Sequence, residues 1–411
     1  MFDWFRELST NERKTLIAAL AGWSVDAFDV MIYTFIIPTL LVAWSMSKEQ
    51  AGLIATASLI TSAIGGWAAG ILADHFGRVK VLQATIVWFA VFTFLSGFTN
   101  TPEQLMLTRA LQGLGFGGEW AVGSVLIGEM IRSAHRGKAV GTVQSGWAIG
   151  WGAAAIVFAI VFSALPDDIA WRTLFWIGIL PALLVIYIRR NVAEPELYLA
   201  TRQRAAQEGS HFLEIFSPAL LRTTILASLL TGGLMATYYA VTIWMPTYLK
   251  TVRHLSVLGT GWYTFVIVVG SFAGYIASAY LNDLIGRRRT FLLFAVATGV
   301  VAVLYTIIPI GDTLMLFLGL PLGFFLSGNF SGFGPFLTEL FPSRVRGSGQ
   351  GFVYNFGRAL GAFSPPLVGH LSKTYQLGPA IGMVTGTALA VAVLMLAFLP
   401  ETHGKQLAVY D

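Results

Sequence analysis

Cysteine is absent from this 411-residue chain, which excludes disulfides, thiolate metal sites and cysteine nucleophiles. Charge is scarce: Asp, Glu, Lys and Arg make up 11% of residues, where a soluble domain carries roughly 25%. The six histidines are scattered at 75, 135, 211, 254, 370 and 403. They join no nucleophile–His–acid arrangement and no metal cluster, and no phosphate-cradling loop follows a strand. No enzyme chemistry, metal or cofactor is therefore expected. Met1-Phe-Asp-Trp-Phe-Arg-Glu has neither a basic n-region nor a small-residue cleavage site, so no removable signal peptide is expected. What the chain has in abundance is apolar: 55% of residues are hydrophobic and the mean hydropathy is +0.70. A run of about 20 such residues spans a bilayer as a helix, and most of the sequence consists of such runs.

Polar breaks divide those runs into twelve predicted transmembrane helices, near 15–44, 50–73, 80–99, 104–131, 138–164, 171–189, 222–249, 257–281, 290–309, 313–340, 347–371 and 378–399. The predicted fold class is an all-α membrane protein. Residues 1–189 form an N-terminal six-helix bundle, 190–221 a cytoplasmic linker, and 222–411 a C-terminal six-helix bundle. Ser9-Thr-Asn-Glu12 has the spacing of a capping box opening the first helix. Alternating spans place both termini on one side together with 19 of the 26 Lys and Arg residues. The positive-inside rule makes that side cytoplasmic, in an inner (plasma) membrane. The net charge of +5 is thus a topology signal, and no nucleic-acid partner is expected. A monomer suffices physically.

The chain also repeats itself. Gly70-Ile-Leu-Ala-Asp74-His-Phe-Gly77-Arg78 returns 209 residues later as Ala279-Tyr-Leu-Asn-Asp283-Leu-Ile-Gly286-Arg287. Glu129-Met-Ile-Arg-Ser-Ala-His-Arg136 returns at an offset of 210 as Glu339-Leu-Phe-Pro-Ser-Arg-Val-Arg346. Two landmarks at nearly one offset indicate duplicated halves. In each copy an Asp ends a span, a Gly permits the tight turn and a basic cluster follows. The acid either accepts from helix N-terminal amides or pairs with Arg136 or Arg346 and closes the inner side. Otherwise Arg78 and Arg287 serve only as topology anchors.

Ionisable groups at mid-bilayer depth are costly and usually functional or paired. Asp26 and Asp29 lie mid-span in the first helix, on one face with Gly22 and Tyr33. Two ionised acids there repel, so either one holds a proton near neutrality or one pairs with a buried arginine. Glu119 is either a second protonation site or a partner of Gln144 or Trp147. Arg109, about one turn inside its span, is expected to snorkel to the interface. Arg358, on one face with Asn355 and beside Tyr354, presents a planar donor fork suited to a carboxylate. It either binds an anionic substrate or neutralises the aspartates.

The Gly70-x-x-x-Asp74-x-x-Gly77-Arg78 motif, its copy at 279–289 and the six-plus-six layout resemble the major facilitator superfamily over essentially the whole chain. Asp26-Ala27-Phe28-Asp29, Gly117-Gly118-Glu119 and the arginine of span eleven resemble that superfamily's acid–proton symporters, the aromatic-acid, sialate and lactate/pyruvate carriers. Ala between the two aspartates suits the sialate and lactate members better. The resemblance implies proton coupling at Asp26, Asp29 and Glu119. It implies a substrate carboxylate near Arg358, with Asn355, Tyr354, Gln144, Trp147 and Tyr33 around it. It implies a cytoplasmic gate from Gly70, Asp74, Gly77, Arg78, Glu129, Arg136, Asp283, Gly286, Arg287, Glu339 and Arg346. The expected function is secondary active import of a small organic monocarboxylate with protons. An organic-anion antiporter or a sugar or drug carrier on the same fold is the alternative.

Overall fold

The computed structural model describes residues 3–131, 133–194, 212–342 and 345–403, with the side chains of 3, 74, 121, 124, 125, 128, 129, 133–138, 189 and 212 left outside that description. Among the described residues every regular element is helical. A short α1 (Asp3–Glu7) precedes α2 (Thr10–Ala43), α3 (Lys48–Phe76), α4 (Arg78–Ser96), α5 (Pro102–Met130), α6 (Ser133–Ala164), α7 (Asp167–Ile177) and α8 (Ala182–Asn191). After a 3-10 turn at Phe212–Phe216 come α9 (Pro218–Thr251), α10 (Val257–Ile285), α11 (Arg287–Thr306), α12 (Asp312–Leu340), α13 (Arg346–Gly361), α14 (Ser364–Leu371) and α15 (Leu377–Phe398).

Ser9 and Glu12 form the expected reciprocal cap, Ser9 N–H donating to Glu12 Oε2 at 2.7 Å and Glu12 N–H to Ser9 Oγ at 3.3 Å. Two stretches predicted as single helices are broken. The sixth is split between α7 and α8 where Pro181 removes a backbone donor, and the eleventh between α13 and α14 before Pro365-Pro366. Among the described residues, ten helical stretches, with Asp167–Ile188 counted as one, are long and apolar enough to cross a membrane. The two predicted spans outside that count are α5, which carries Arg109, Gln112 and Glu119 mid-helix, and the divided α13–α14.

The packing repeats as the sequence does. α3 lies on α5 as α10 lies on α12, α2 on α6 as α9 on α13, and α4 on α5 as α11 on α12. Close approach rests on glycine: a Cβ at Gly117 would overlap the Ser62 carbonyl, and one at Gly323 the Ile267 carbonyl. The halves meet through α6 on α10 and α14 on α3. The second contact is tight at one end of the molecule, where Thr56 Oγ1 donates to Ala362 O at 2.5 Å. That acceptor ends α13 at the α13–α14 break, where a helix C-terminus leaves carbonyls unused, and within the second half Trp244 Nε1 donates to Pro365 O at 3.0 Å.

Candidate substrate and proton site

The two aspartates of α2 share a face but not a partner. Asp29, with 0% of its surface exposed, takes Arg109 Nη1 at 3.4 Å on Oδ1 and 3.3 Å on Oδ2. Gln112 Nε2 also donates to Oδ2, and Gln112 Oε1 in turn accepts from Ser58 Oγ at 2.8 Å. The Arg109 guanidinium stands 5.8 Å from the ring centroids of both Tyr33 and Phe175. Arg109 therefore does not snorkel. It is 2% exposed, because α5 turns it inward onto a carboxylate that otherwise has no cation. Tyr33, expected beside the substrate, instead donates its hydroxyl to Ala51 O at 2.8 Å and sits with this ion pair.

Among the described residues Asp26, 1% exposed, meets no hydrogen-bond donor. What faces it is the carboxyl of Glu119, in place of the Gln144 or Trp147 contact considered for that residue. Two carboxyls can bond to each other only when one carries a proton, and two acids that share one buried place do not both ionise. Gly22, one turn before Asp26, makes the contact possible, since a Cβ there would overlap Glu119 Oε1. Gly22→Ala is expected to leave the fold intact, alanine favouring a helix over glycine by about 1 kcal/mol, while displacing Glu119. Gradient-driven uptake into vesicles should fall on the order of tenfold, the effect of a contact of about 1.4 kcal/mol. Wild-type uptake by a folded Gly22→Ala protein would contradict this geometry.

Arg358 lies close enough for its charge to act on Asp26. It is 2% exposed. Nη1 donates to Ser62 Oγ at 3.3 Å, the Tyr239 oxygen lies within reach as an acceptor, and among the described residues Nε has no partner. The guanidinium is held 5.1 Å from the Phe116 ring centroid and 5.2 Å from that of Tyr354. A wall of rings continues from there: Trp23 is 4.2 Å from Trp120 and 4.9 Å from Trp147, and Phe116 is 6.1 Å from Trp147. Gln144, buried on α6, makes no hydrogen bond among the described residues. Asn355 Nδ2 donates to Gly351 O at 3.0 Å, and its Oδ1 faces Gly66 of α3. Trp23, Phe116 and Trp120 were not picked out from sequence, although Arg109, Gln112, Phe116 and Glu119 follow helical spacing on one stripe of α5. Two surface grooves of about 610 and 410 Å³, between α4 and α8 and between α6 and α10, contain none of these charges.

The repeated loops form a second constellation. Gly77 and Gly286 have φ of +108° and +97°, the region that favours glycine. Arg78 and Arg287 fold back in the same way, Nη1 donating to Ala73 O at 2.9 Å and to Asn282 O at 2.6 Å. Arg287 also pairs with Asp283 at 2.7 Å and Glu339 at 3.0 Å. The Asp283–Arg346 pairing considered from sequence does not form: Asp283 takes Arg287 one turn on, and Arg346 Nε donates to Thr338 O at 3.0 Å. Asp283 is thus held within its own helix junction and spans no interface. The side chains of Asp74, Glu129 and Arg136 lie outside the described residues.

A third repeated landmark was missed. Glu194 accepts from the Arg78 and Val79 amides at 2.9 and 3.0 Å, and Glu401 accepts from those of Arg287 and Arg288 at 3.0 and 3.1 Å. The two acids are 207 residues apart, so continuing the repeat past the last helix of each half would have found them. Burial alone pushes the Glu401 carboxyl up, but the amides of His403, Arg287, Arg288 and Thr402 outweigh it and hold it below the ordinary 4.5. A carboxyl lowered on folding stabilises above its ordinary value, and that contribution is lost as pH falls through the folded value. Glu401→Ala is expected to cost about 1 kcal/mol of stability at neutral pH, as for a lost helix cap. Its deficit should shrink in melts below pH 4.5, and a deficit constant down to strong acid would remove the capping role.

The profile of the family described as Major Facilitator Superfamily matches residues 19–278 and 253–409. A probable 4-methylmuconolactone transporter of Cupriavidus pinatubonensis is 43% identical, the match covering 98% of this chain and 94% of that one. The sialic acid transporter NanX of Escherichia coli is 27% identical, with 96% of each chain covered. A solved structure of the E. coli xylose transporter XylE, in a partially occluded inward-open conformation, superposes with a TM-score of 0.75 at 18% identity. That match covers 97% of this chain and 100% of the other, a likeness of fold alone.

Proposed function

Because the chain belongs to the major facilitator superfamily and is a membrane transporter, not an enzyme, we propose that it imports a small unsaturated ring monocarboxylate together with a proton. The observation that carries this reading is Arg358: a buried guanidinium with an unused Nε, clasped by two rings and acting on the Asp26–Glu119 pair. A guanidinium in low dielectric with free donors favours an anionic ligand, and the ring wall favours a flat one. The name of the relative at 43% identity supports an organic acid built on a lactone ring.

Transport proceeds by alternating access between two six-helix bundles, residues 1–189 and 222–411, with 190–221 as the linker and twelve spans leaving both termini cytoplasmic. The Asp26–Glu119 pair already shares one proton between its carboxyls, and a second leaves it uncharged. The substrate carboxylate then settles on Arg358 without facing an ionised acid. Gln144, Trp147, Tyr354 and Asn355 complete its surroundings, while Asp29 stays locked to Arg109. With its charges balanced the site closes and reopens to the cytoplasm, where lower proton activity returns the acid pair to its charged form and releases the anion. The junctions at Gly77–Arg78 and Gly286–Arg287 hold the cytoplasmic ends of the helices. The sealed end at 48–56 and 362–373 is the outer one in this orientation.

The test is uptake by the purified protein in vesicles with an alkaline interior. 4-Methylmuconolactone and benzoate should accumulate against their gradients, and lactate and sialate much less. Exchange between preloaded vesicles that ignores an imposed pH gradient would instead identify an anion antiporter.

A further inference from the structure

Tyr238 is a buried hydroxyl with an unclaimed proton. It lies on α9 with 2% of its surface exposed, and its oxygen accepts from Trp147 Nε1, on α6, at 2.6 Å. An indole N–H only donates, so the phenol must act as acceptor in this bond and keeps its own hydrogen to give. Among the described residues no acceptor takes that hydrogen. The rings packed on Tyr238 are Trp151, Tyr239 and Phe330, and among the described residues no cation stacks on it.

We propose that Tyr238, oriented by Trp147, is the specificity-determining donor of the site, selecting ring acids that carry a neutral hydrogen-bond acceptor away from the carboxylate. The inference rests on the carboxylate reading of Arg358 given above and adds a second pole to it. Trp147 links the two poles. Its ring stands 4.9 Å from Trp23 in the wall that runs from Arg358, while its N–H fixes Tyr238. A flat acid with its carboxylate on Arg358 and its ring along that wall brings its far edge towards Tyr238. A lactone carbonyl or a ring nitrogen there accepts the spare proton. A plain C–H edge leaves the donor buried and unmet, which a site built to hydrogen-bond its ligand penalises. A second carboxylate finds no cation at this pole, so the acceptor that suits it is uncharged.

Benzoate, nicotinate and isonicotinate are near-isosteres that differ in whether, and where, a ring C–H becomes an acceptor nitrogen. Their affinities are measured by calorimetry at neutral pH on the full chain in lipid nanodiscs, for wild type, Tyr238→Phe and Arg358→Gln. At least one pyridine acid should bind wild type roughly 5- to 10-fold more tightly than benzoate, the scale of one net hydrogen bond. Tyr238→Phe should erase that preference, with benzoate, freed of the unmet donor, bound at least as tightly as by wild type. Equal affinities in wild type overturn the proposal, as does a preference that survives Tyr238→Phe, or benzoate binding weakened as much as that of the pyridine acids. Arg358→Gln reports on the underlying reading separately. Loss of all three acids upholds a carboxylate site whatever Tyr238 does, whereas unchanged binding of all three, or no binding to wild type, removes that site and the proposal together.

Discussion

Asp26→Asn is expected to abolish pH-driven accumulation of substrate, on the order of 100-fold or more, the scale on which removal of a positioned proton carrier acts. Substrate-for-substrate exchange should persist at near wild-type rates. Asparagine keeps the size of the side chain and, like a protonated carboxyl, carries no charge, so it imitates Asp26 in the loaded carrier. Asp26 has no other donor to lose, and the substitution leaves no buried cation unpaired. The variant should therefore fold normally, bind the anion on Arg358, and shuttle it without regard to the proton gradient. Counterflow and gradient-driven uptake, measured on one vesicle preparation, separate these outcomes. Loss of both activities in a folded protein would show that Asp26 serves binding and not proton movement.

Asp29→Asn and Arg109→Gln are expected to behave quite differently. Each leaves the opposite charge buried with its main partner gone, which costs about 3–5 kcal/mol. Both should lower yield and melting temperature in detergent before any effect on transport can be read. Replacing both partners with apolar residues, Asp29→Leu with Arg109→Met, should recover much of that loss, because a buried pair contributes little beyond its own desolvation. A stable Asp29→Asn protein that transports but no longer responds to a pH gradient would move the proton from Asp26 to Asp29.

The contrast between these two acids shows where the sequence ceases to be legible. Helical spacing correctly puts Asp26 and Asp29 on one face of α2, but a face does not say which neighbour each residue meets. Asp29 meets Gln112 and Arg109 while Asp26 meets Glu119, so advancing along α2 means retreating along α5. That pairing depends on the antiparallel crossing of two helices, a tertiary fact. Part of the signal was nevertheless present. The Arg109, Gln112, Phe116 and Glu119 stripe is polar and aromatic where lipid would want aliphatic side chains, and it marks an inward face. Arg109 was misjudged because distance from the span end was weighed without that stripe.

Elsewhere the repeat carried the most information. It located Gly77 and Gly286, whose positive φ the structure shows, but its printed landmarks stopped short of Glu194 and Glu401, acids that lie in short connecting sequences with no periodicity of their own. Asp283 takes Arg287 and not Arg346, one of the alternatives weighed for it, for a simpler reason: Arg287, at i+4, is within reach on the same helix end, and a cross-interface partner must outcompete it. Substrate class rested on Ala27, a single residue between the aspartates, which favoured sialate and lactate carriers. A lactone transporter is 43% identical and a sialate transporter 27%, so overall likeness and that one residue point to different carriers. In the function proposed above, the substrate is read by the chemistry at Arg358 and along the ring wall.

The central claim is that substrate and proton are taken up at one site because Asp26 and Glu119 share what Arg358 feels. Calorimetry of substrate binding in buffers of different ionisation enthalpy counts the protons that enter with the ligand. About one proton per bound acid is predicted for wild type, since a coupled pair binds it as a unit, and none for Asp26→Asn. A wild-type count of zero, or a count unchanged by Asp26→Asn, would contradict the account.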